Sequence, residues 1–215
     1  MGDAITTTLD YDGGRVVTAH VPEDGIDAVV FAADGGWHGA RLVDALERAG
    51  ATSVAVVAVD GMPHDEGRFS EYVPGIDDGR FAAHESFFVD DVRTWVESAI
   101  DVELGSQSTA VWGASLGAEF ALAMGMRHPD VFGAVFSASP GGGYRPPIAF
   151  ASALPAVYLV AGSDEPFFAE NAKRWLEALE GASADVIMHV RKGDHGGAFW
   201  YEELPLMVAW AFRGD

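Results

Sequence analysis

The chain has 215 residues, 49% of them hydrophobic and 21% charged, enough to bury the core of one globular domain and too apolar for disorder. Its 13 Lys+Arg against 33 Asp+Glu give a net charge of −20, which disfavours nucleic acid and anionic membranes as partners. The absence of cysteine excludes disulfides, thiolate metal sites and cysteine nucleophiles.

No repeat, low-complexity tract or linker interrupts residues 1–215, so one domain is expected. The opening residues have no basic and apolar leader pattern, and no stretch is long enough to span a membrane, which points to a cytoplasmic protein. Two β-rich runs around Gly13-Gly14 predict a hairpin. The apolar run Ala28–Ala33 predicts a strand, followed by a helix with Leu42, Leu46 and Ala49 on one face. VAVVAV at Val54–Val59 is apolar throughout, as a strand covered on both sides requires. A polar, glycine-rich loop is expected over roughly 60–80. A helix carrying Phe88, Val92, Trp95 and Ala99 comes next.

Strand and helix then alternate. TAVWGAS leads into a helix from Leu116 to about Met126, and GAVFSAS follows. The strand Ala156–Gly162 precedes a helix striped by Phe168, Ala172, Trp175 and Leu179. The strand DVIMHV and a helix ending near Phe212 complete the chain. This order specifies an α/β fold: a mostly parallel sheet, an N-terminal hairpin and helices on both faces. In such sheets chemistry gathers at the carboxyl ends of the strands.

Gly113-Ala114-Ser115-Leu116-Gly117 sits where a strand turns into a helix. Small residues around Ser115 permit the sharp turn that lifts a serine oxygen clear of the sheet, and the N–H of Leu116 can stabilise an oxyanion. A serine needs a base, and the base needs an orienting carboxylate. His195 lies in a glycine-bounded loop after the last strand, whereas His128 reads as a helix-end residue and His189 lies within a strand. Asp164 follows Gly162 closely and is the expected acid, with Glu165 next in line. The run His64-Asp65-Glu66 has three adjacent residues pointing different ways, so no metal site is expected there, and no cofactor is implied.

From about Val29 to Phe212 the sequence resembles the putative-esterase family of α/β-hydrolases. That family includes enterochelin-type esterases, S-formylglutathione hydrolases, feruloyl and acetylxylan esterases, and mycolyltransferases. The resemblance rests on Asp34-Gly35-Gly36-Trp37, Val59-Asp60-Gly61 and Arg68-Phe69-Ser70-Glu71-Tyr72. It continues through GASLGA, Arg127-His128-Pro129-Asp130 leading to Ser137-Ala138-Ser139, Asp164 with Asn171, and His195 with Phe199-Trp200.

The resemblance implies a Ser115, Asp164 and His195 triad. It also implies a second oxyanion N–H from Gly36, and Asp34 and Trp37 lining the pocket. Arg68 and Glu71 match the pattern too, either holding substrate or forming ion pairs that fix their loop. The implied activity is serine carboxylic-ester hydrolysis, on a small-molecule or polymer-linked ester. Acyl transfer to an alcohol or thiol on the same triad, or a non-catalytic binding module, are the alternatives. Only Pro140–Pro155 separates two central strands, so no cap domain is expected and the pocket should be open. The cations near it are Arg68, Arg80 and Arg145.

Overall fold

A computed structural model describes residues 2–212. Eight strands form one sheet in the order β1-β2-β4-β3-β5-β6-β7-β8. Strands β1 (Asp3–Leu9) and β2 (Arg15–Val21) pair antiparallel as a hairpin, and β2 joins β4 (Val54–Val59) antiparallel. The other five strands are β3 (Ala28–Ala32), β5 (Thr109–Ala114), β6 (Ala134–Ala138), β7 (Ala156–Gly162) and β8 (Val186–Arg191). With β4 they form a parallel array.

The evenly apolar strands are explained by two cores. In β3, Val29 and Phe31 face one side while Val30 and Ala32 face the other; Val111 and its neighbours Ala110 and Trp112 divide likewise in β5. The first core is covered by α4 (Val92–Ile100), α5 (Leu116–Arg127) and α6 (Pro166–Gly181), which contribute Val92, Val96, Phe120, Met124, Trp175 and Leu179. The second packs Leu42 and Leu46 of α1 (Gly35–Ala49) with Leu204, Met207 and Val208 of α8 (Leu204–Ala211). A short helix, α7 (Phe199–Glu202), precedes α8.

Residues 60–80 depart from the expected loop. They contain α2 (Asp65–Tyr72) and the start of α3 (Asp78–Ser86). Side chains supply the caps: His64 accepts from the Gly67 N–H and Asp77 from the Arg80 N–H, satisfying first-turn donors that would otherwise be unpaired. A turn of π-helix at Phe87–Asp91 then shifts the face presented by the next helix, so Val92 and Val96 are buried more deeply than Trp95. Between β6 and β7 there is neither helix nor strand, and hence no cap.

Candidate active site

The turn after β5 carries the nucleophile candidate. Ser115 has φ 55° and ψ −119°, a strained backbone for a residue with a side chain. Two neighbours make it possible. A Cβ on Gly113 would lie 1.9 Å from the Gly117 carbonyl oxygen, so only glycine fits there, and the Ser115 N–H is anchored to the Ala138 carbonyl at 2.9 Å. Leu116 opens α5, leaving its N–H among the first-turn donors without an intrahelical partner.

His195 Nε2 lies 2.9 Å from Ser115 Oγ, and His195 Nδ1 lies 2.7 Å from Glu165 Oε2. With the carboxylate as acceptor, Nδ1–H donates and Nε2 is free to accept the serine proton. The imidazole is clamped by two rings: Phe168 stacks on it with centroids 3.8 Å apart, and Trp200 meets it edge-on at 4.9 Å. The side chain of His195 stays about one-third exposed, that of Glu165 only 3%. The imidazole therefore faces the opening while its carboxylate partner is dry.

Asp164, expected from its nearness to β7, is not the partner. The turn Gly162–Glu165 uses the Asp164 N–H to hold the Gly193 carbonyl at 2.9 Å and sends the Asp164 side chain into solvent, where Ser163 Oγ donates to it at 3.0 Å. The next residue then points inward, and the longer glutamate side chain spans the remaining gap. Gly162 contributes twice: its N–H donates to Glu165 Oε1 at 2.6 Å, and a Cβ there would lie 2.3 Å from the Gly193 carbonyl oxygen.

The residues assigned to the pocket from the strand β3 side belong elsewhere. Asp34, at φ 56°, is buried and accepts from Arg68 at 2.9 and 2.6 Å and from the Tyr72 hydroxyl at 3.1 Å. Burial, followed by the Asp34 charge, pushes the Tyr72 phenol well above its ordinary range. Arg68 also lies 4.8 Å below the Trp37 ring, which faces solvent. Glu71 is fully buried and receives Arg15 at 3.0 and 2.9 Å, Arg80 at 2.8 Å and the Tyr11 hydroxyl at 3.2 Å. Burial works to raise its pKa, but the Arg15 hydrogen bonds and the neighbouring His84, Arg15 and Arg80 outweigh it and hold the carboxyl below the usual range. Arg68 and Glu71 are thus both ion-paired, each with other partners.

A Cβ on Gly36 would lie 3.1 Å from Asp60 Oδ1, so this turn packs closely against the Asp60 carboxylate. Burial raises the Asp60 pKa. His128 caps the end of α5 and hydrogen-bonds Glu85 at 2.8 Å, while His189 packs against Tyr158 at 5.2 Å. Among the described residues no group of three or more potential ligand side chains is arranged to hold a metal.

The cleft beside Ser115 has a volume of about 430 Å³ and is lined by Phe69, Leu116, Glu119, Gly141–Gly143, Arg145, Phe167, Phe168, Asn171 and Arg174. Of the expected cations only Arg145 reaches it; it makes no ion pair or hydrogen bond among the described residues. Arg174 joins it from α6, holding Asn171 Oδ1 at 3.1 Å. Glu119 forms part of the wall, accepting from the backbone N–H of Tyr144 and so fixing the rim loop. Its burial raises the carboxyl to about 6. The signal for Glu119 was present as the one charge in the apolar stretch LGAEFALAMGM.

A family model described as Putative esterase matches residues 18–211. Among solved structures, an enterochelin esterase from Shigella flexneri superposes with a TM-score of 0.81 at 17% identity, over 98% of this chain and 58% of that one. This chain therefore spans just over half of that enzyme's length. A ferulic acid esterase gives 0.73 at 18% identity over 98% of both chains. An S-formylglutathione hydrolase from Staphylococcus aureus gives 0.72 at 12% identity, over 99% of this chain and all of the other. At such low identities the superpositions establish a shared fold and no more. A search of curated protein sequences returned no match. Among the described residues no helix is long and apolar enough to cross a membrane.

Proposed function

The chain belongs to the putative esterase family of carboxylic-ester hydrolases, and from that premise we propose that it works through an acyl-enzyme on Ser115, with His195 as base and Glu165 as its orienting acid. The observation that carries this reading is the continuous chain of hydrogen bonds from Ser115 Oγ through the imidazole to Glu165, at 2.9 and 2.7 Å.

In the first half-reaction His195 Nε2 takes the Ser115 proton as Oγ attacks the ester carbonyl. The tetrahedral oxyanion forms beside the Leu116 N–H at the start of α5, where the helix dipole also favours negative charge. The imidazolium then protonates the departing alkoxide, leaving the acyl group on Ser115. Water attacks that acyl group and gives its proton to Nε2, which passes it to the departing Ser115 Oγ as the acid is released. Glu165 keeps its charge throughout and holds Nδ1–H, which fixes the tautomer each step needs.

The cleft favours esters with a flat, apolar acyl group. Phe69 and Phe167 expose ring surface there, Phe168 continues the wall to His195, and the missing cap leaves room for a bulky alcohol. Ferulic acid esterases are among the similar structures, which adds weight to an aromatic acyl portion.

The test is hydrolysis of p-nitrophenyl acetate and of an aryl-acyl ester, together with fluorophosphonate labelling. Ser115→Ala should fold, lose labelling and lose turnover; undiminished hydrolysis by that variant would refute the assignment. A preference for short linear over aryl acyl groups would remove the aromatic part of the reading alone.

A further inference from the structure

We propose that Ser139 and Trp200 are positioning residues that aim Glu165 at His195, an inference resting on the esterase reading above. Neither belongs to the hydrogen-bonded chain at Ser115, and neither lines the cleft; both are buried.

Glu165 has two oxygens with separate duties. Oε2 faces His195 Nδ1 at 2.7 Å. Oε1 receives the Gly162 N–H at 2.6 Å and the Ser139 hydroxyl, so the carboxylate cannot rotate without breaking two hydrogen bonds. The direction of the serine bond is determined by its other neighbour. Trp200 Nε1 lies 2.8 Å from Ser139 Oγ, and an indole N–H can only donate. Ser139 therefore accepts from Trp200, and its single proton goes to Glu165.

The arrangement ties three parts of the fold to one oxygen. Ser139 follows β6, with φ 52° and its N–H bonded to the Val160 carbonyl at 2.7 Å. Gly162 ends β7 and Trp200 lies in α7. The same indole meets the His195 ring edge-on at 4.9 Å, so one side chain restrains the base directly and its carboxylate partner through Ser139. A left-handed backbone is unfavourable for serine and easy for glycine. The hydroxyl is what glycine would lack.

That contrast supplies the test. Ser139→Gly suits the backbone and removes the hydroxyl; Ser139→Ala removes the hydroxyl and keeps the strain. Both variants, confirmed folded by thermal melting, should lose about 10- to 100-fold in kcat, the worth of one hydrogen bond to a charged group, with KM changed less than about two-fold. Fluorophosphonate labelling should slow in parallel. The low-field proton resonance of the His195–Glu165 hydrogen bond should move.

Trp200→Phe keeps an aromatic ring beside His195 and removes only the indole N–H. It should lose roughly 3- to 10-fold, and the double variant Ser139→Gly/Trp200→Phe should be no slower than about two-fold below Ser139→Gly alone, since that N–H acts on Glu165 through the serine hydroxyl. Wild-type kcat, labelling and proton resonance in Ser139→Gly would overturn the positioning role while leaving the esterase reading intact. So would fully multiplicative losses in the double variant. Failure of the wild-type protein to label at Ser115 would overturn both.

Discussion

Asp34 and Glu165 are both buried carboxylates, one just after β3 and one just after β7, yet their neighbours give them opposite uses. Asp34 is neutralised by the Arg68 guanidinium, which bonds both of its oxygens, and also accepts from the neutral Tyr72 phenol. Glu165 has no cation as a fixed hydrogen-bond partner. Neutral donors hold one oxygen, and the other meets the His195 imidazole, which in the proposed mechanism gains charge only during the reaction. A carboxylate already paired with arginine has little attraction left for a transient imidazolium, whereas one held by neutral dipoles keeps its field available. A buried acid next to a nucleophile is thus insufficient as a mark of catalysis; what saturates it decides.

The largest effect should come from the catalytic side. Ser115→Ala or His195→Ala should lower kcat by about 10⁴- to 10⁶-fold in steady-state ester hydrolysis, with melting temperature nearly unchanged. Glu165→Gln should lower kcat by roughly 10²- to 10⁴-fold, because the neutral amide favours the wrong imidazole tautomer, while Asp164→Ala should change it by less than about three-fold. Equal losses at 164 and 165 would erase the distinction drawn from the turn after β7.

The Asp34 side should respond in stability. Arg68→Ala strands a carboxylate that is 1% exposed, and should cost about 3–5 kcal/mol in urea unfolding while the folded fraction still labels at Ser115. A selective rise in KM with unchanged stability would instead return Arg68 to the substrate pocket.

Two glutamates should give pH dependences of opposite sign. Glu71 has a depressed pKa in the folded state, so its stabilisation is present above the ordinary glutamate pKa and is lost as pH falls through the lower folded value. Glu119 is raised from 4.5 to about 6, so it is best accommodated below 4.5, and stability declines as pH rises to about 6. By that linkage the wild type should lose up to about 2 kcal/mol relative to Glu119→Gln across this interval. Urea midpoints of the pair at pH 4.5 and 7 measure it, and a constant difference would show that burial of Glu119 is not what sets its titration.

The order of elements was legible in the sequence because fully apolar strands such as Val54–Val59 have few other ways to be buried. The helices between 60 and 80 were not, since their ends depend on His64 and Asp77 turning back to cap them and their charged residues find partners on β2 and after β3. Ser115 and His195 could be singled out by local signals, a glycine-bounded turn and a glycine-rich loop in the right chain order. The surroundings of Gly36 could not be judged in this way, because the Asp60 carboxylate beside it comes from the neighbouring strand's end.

What the sequence determined by itself was the sheet architecture and the two residues proposed as nucleophile and base, each marked by hydrophobic period or by glycines within a few residues. The pairing of His195 with Glu165 rather than Asp164, the ion pairs that keep Arg68 and Glu71 out of the cleft, and the contacts of Ser139 and Trp200 with Glu165 and His195 were decided only in three dimensions. Those assignments depend on which way a side chain points and which distant donor meets it, and hydrogen bonding is short-ranged and directional. Proximity along the chain carries neither quantity.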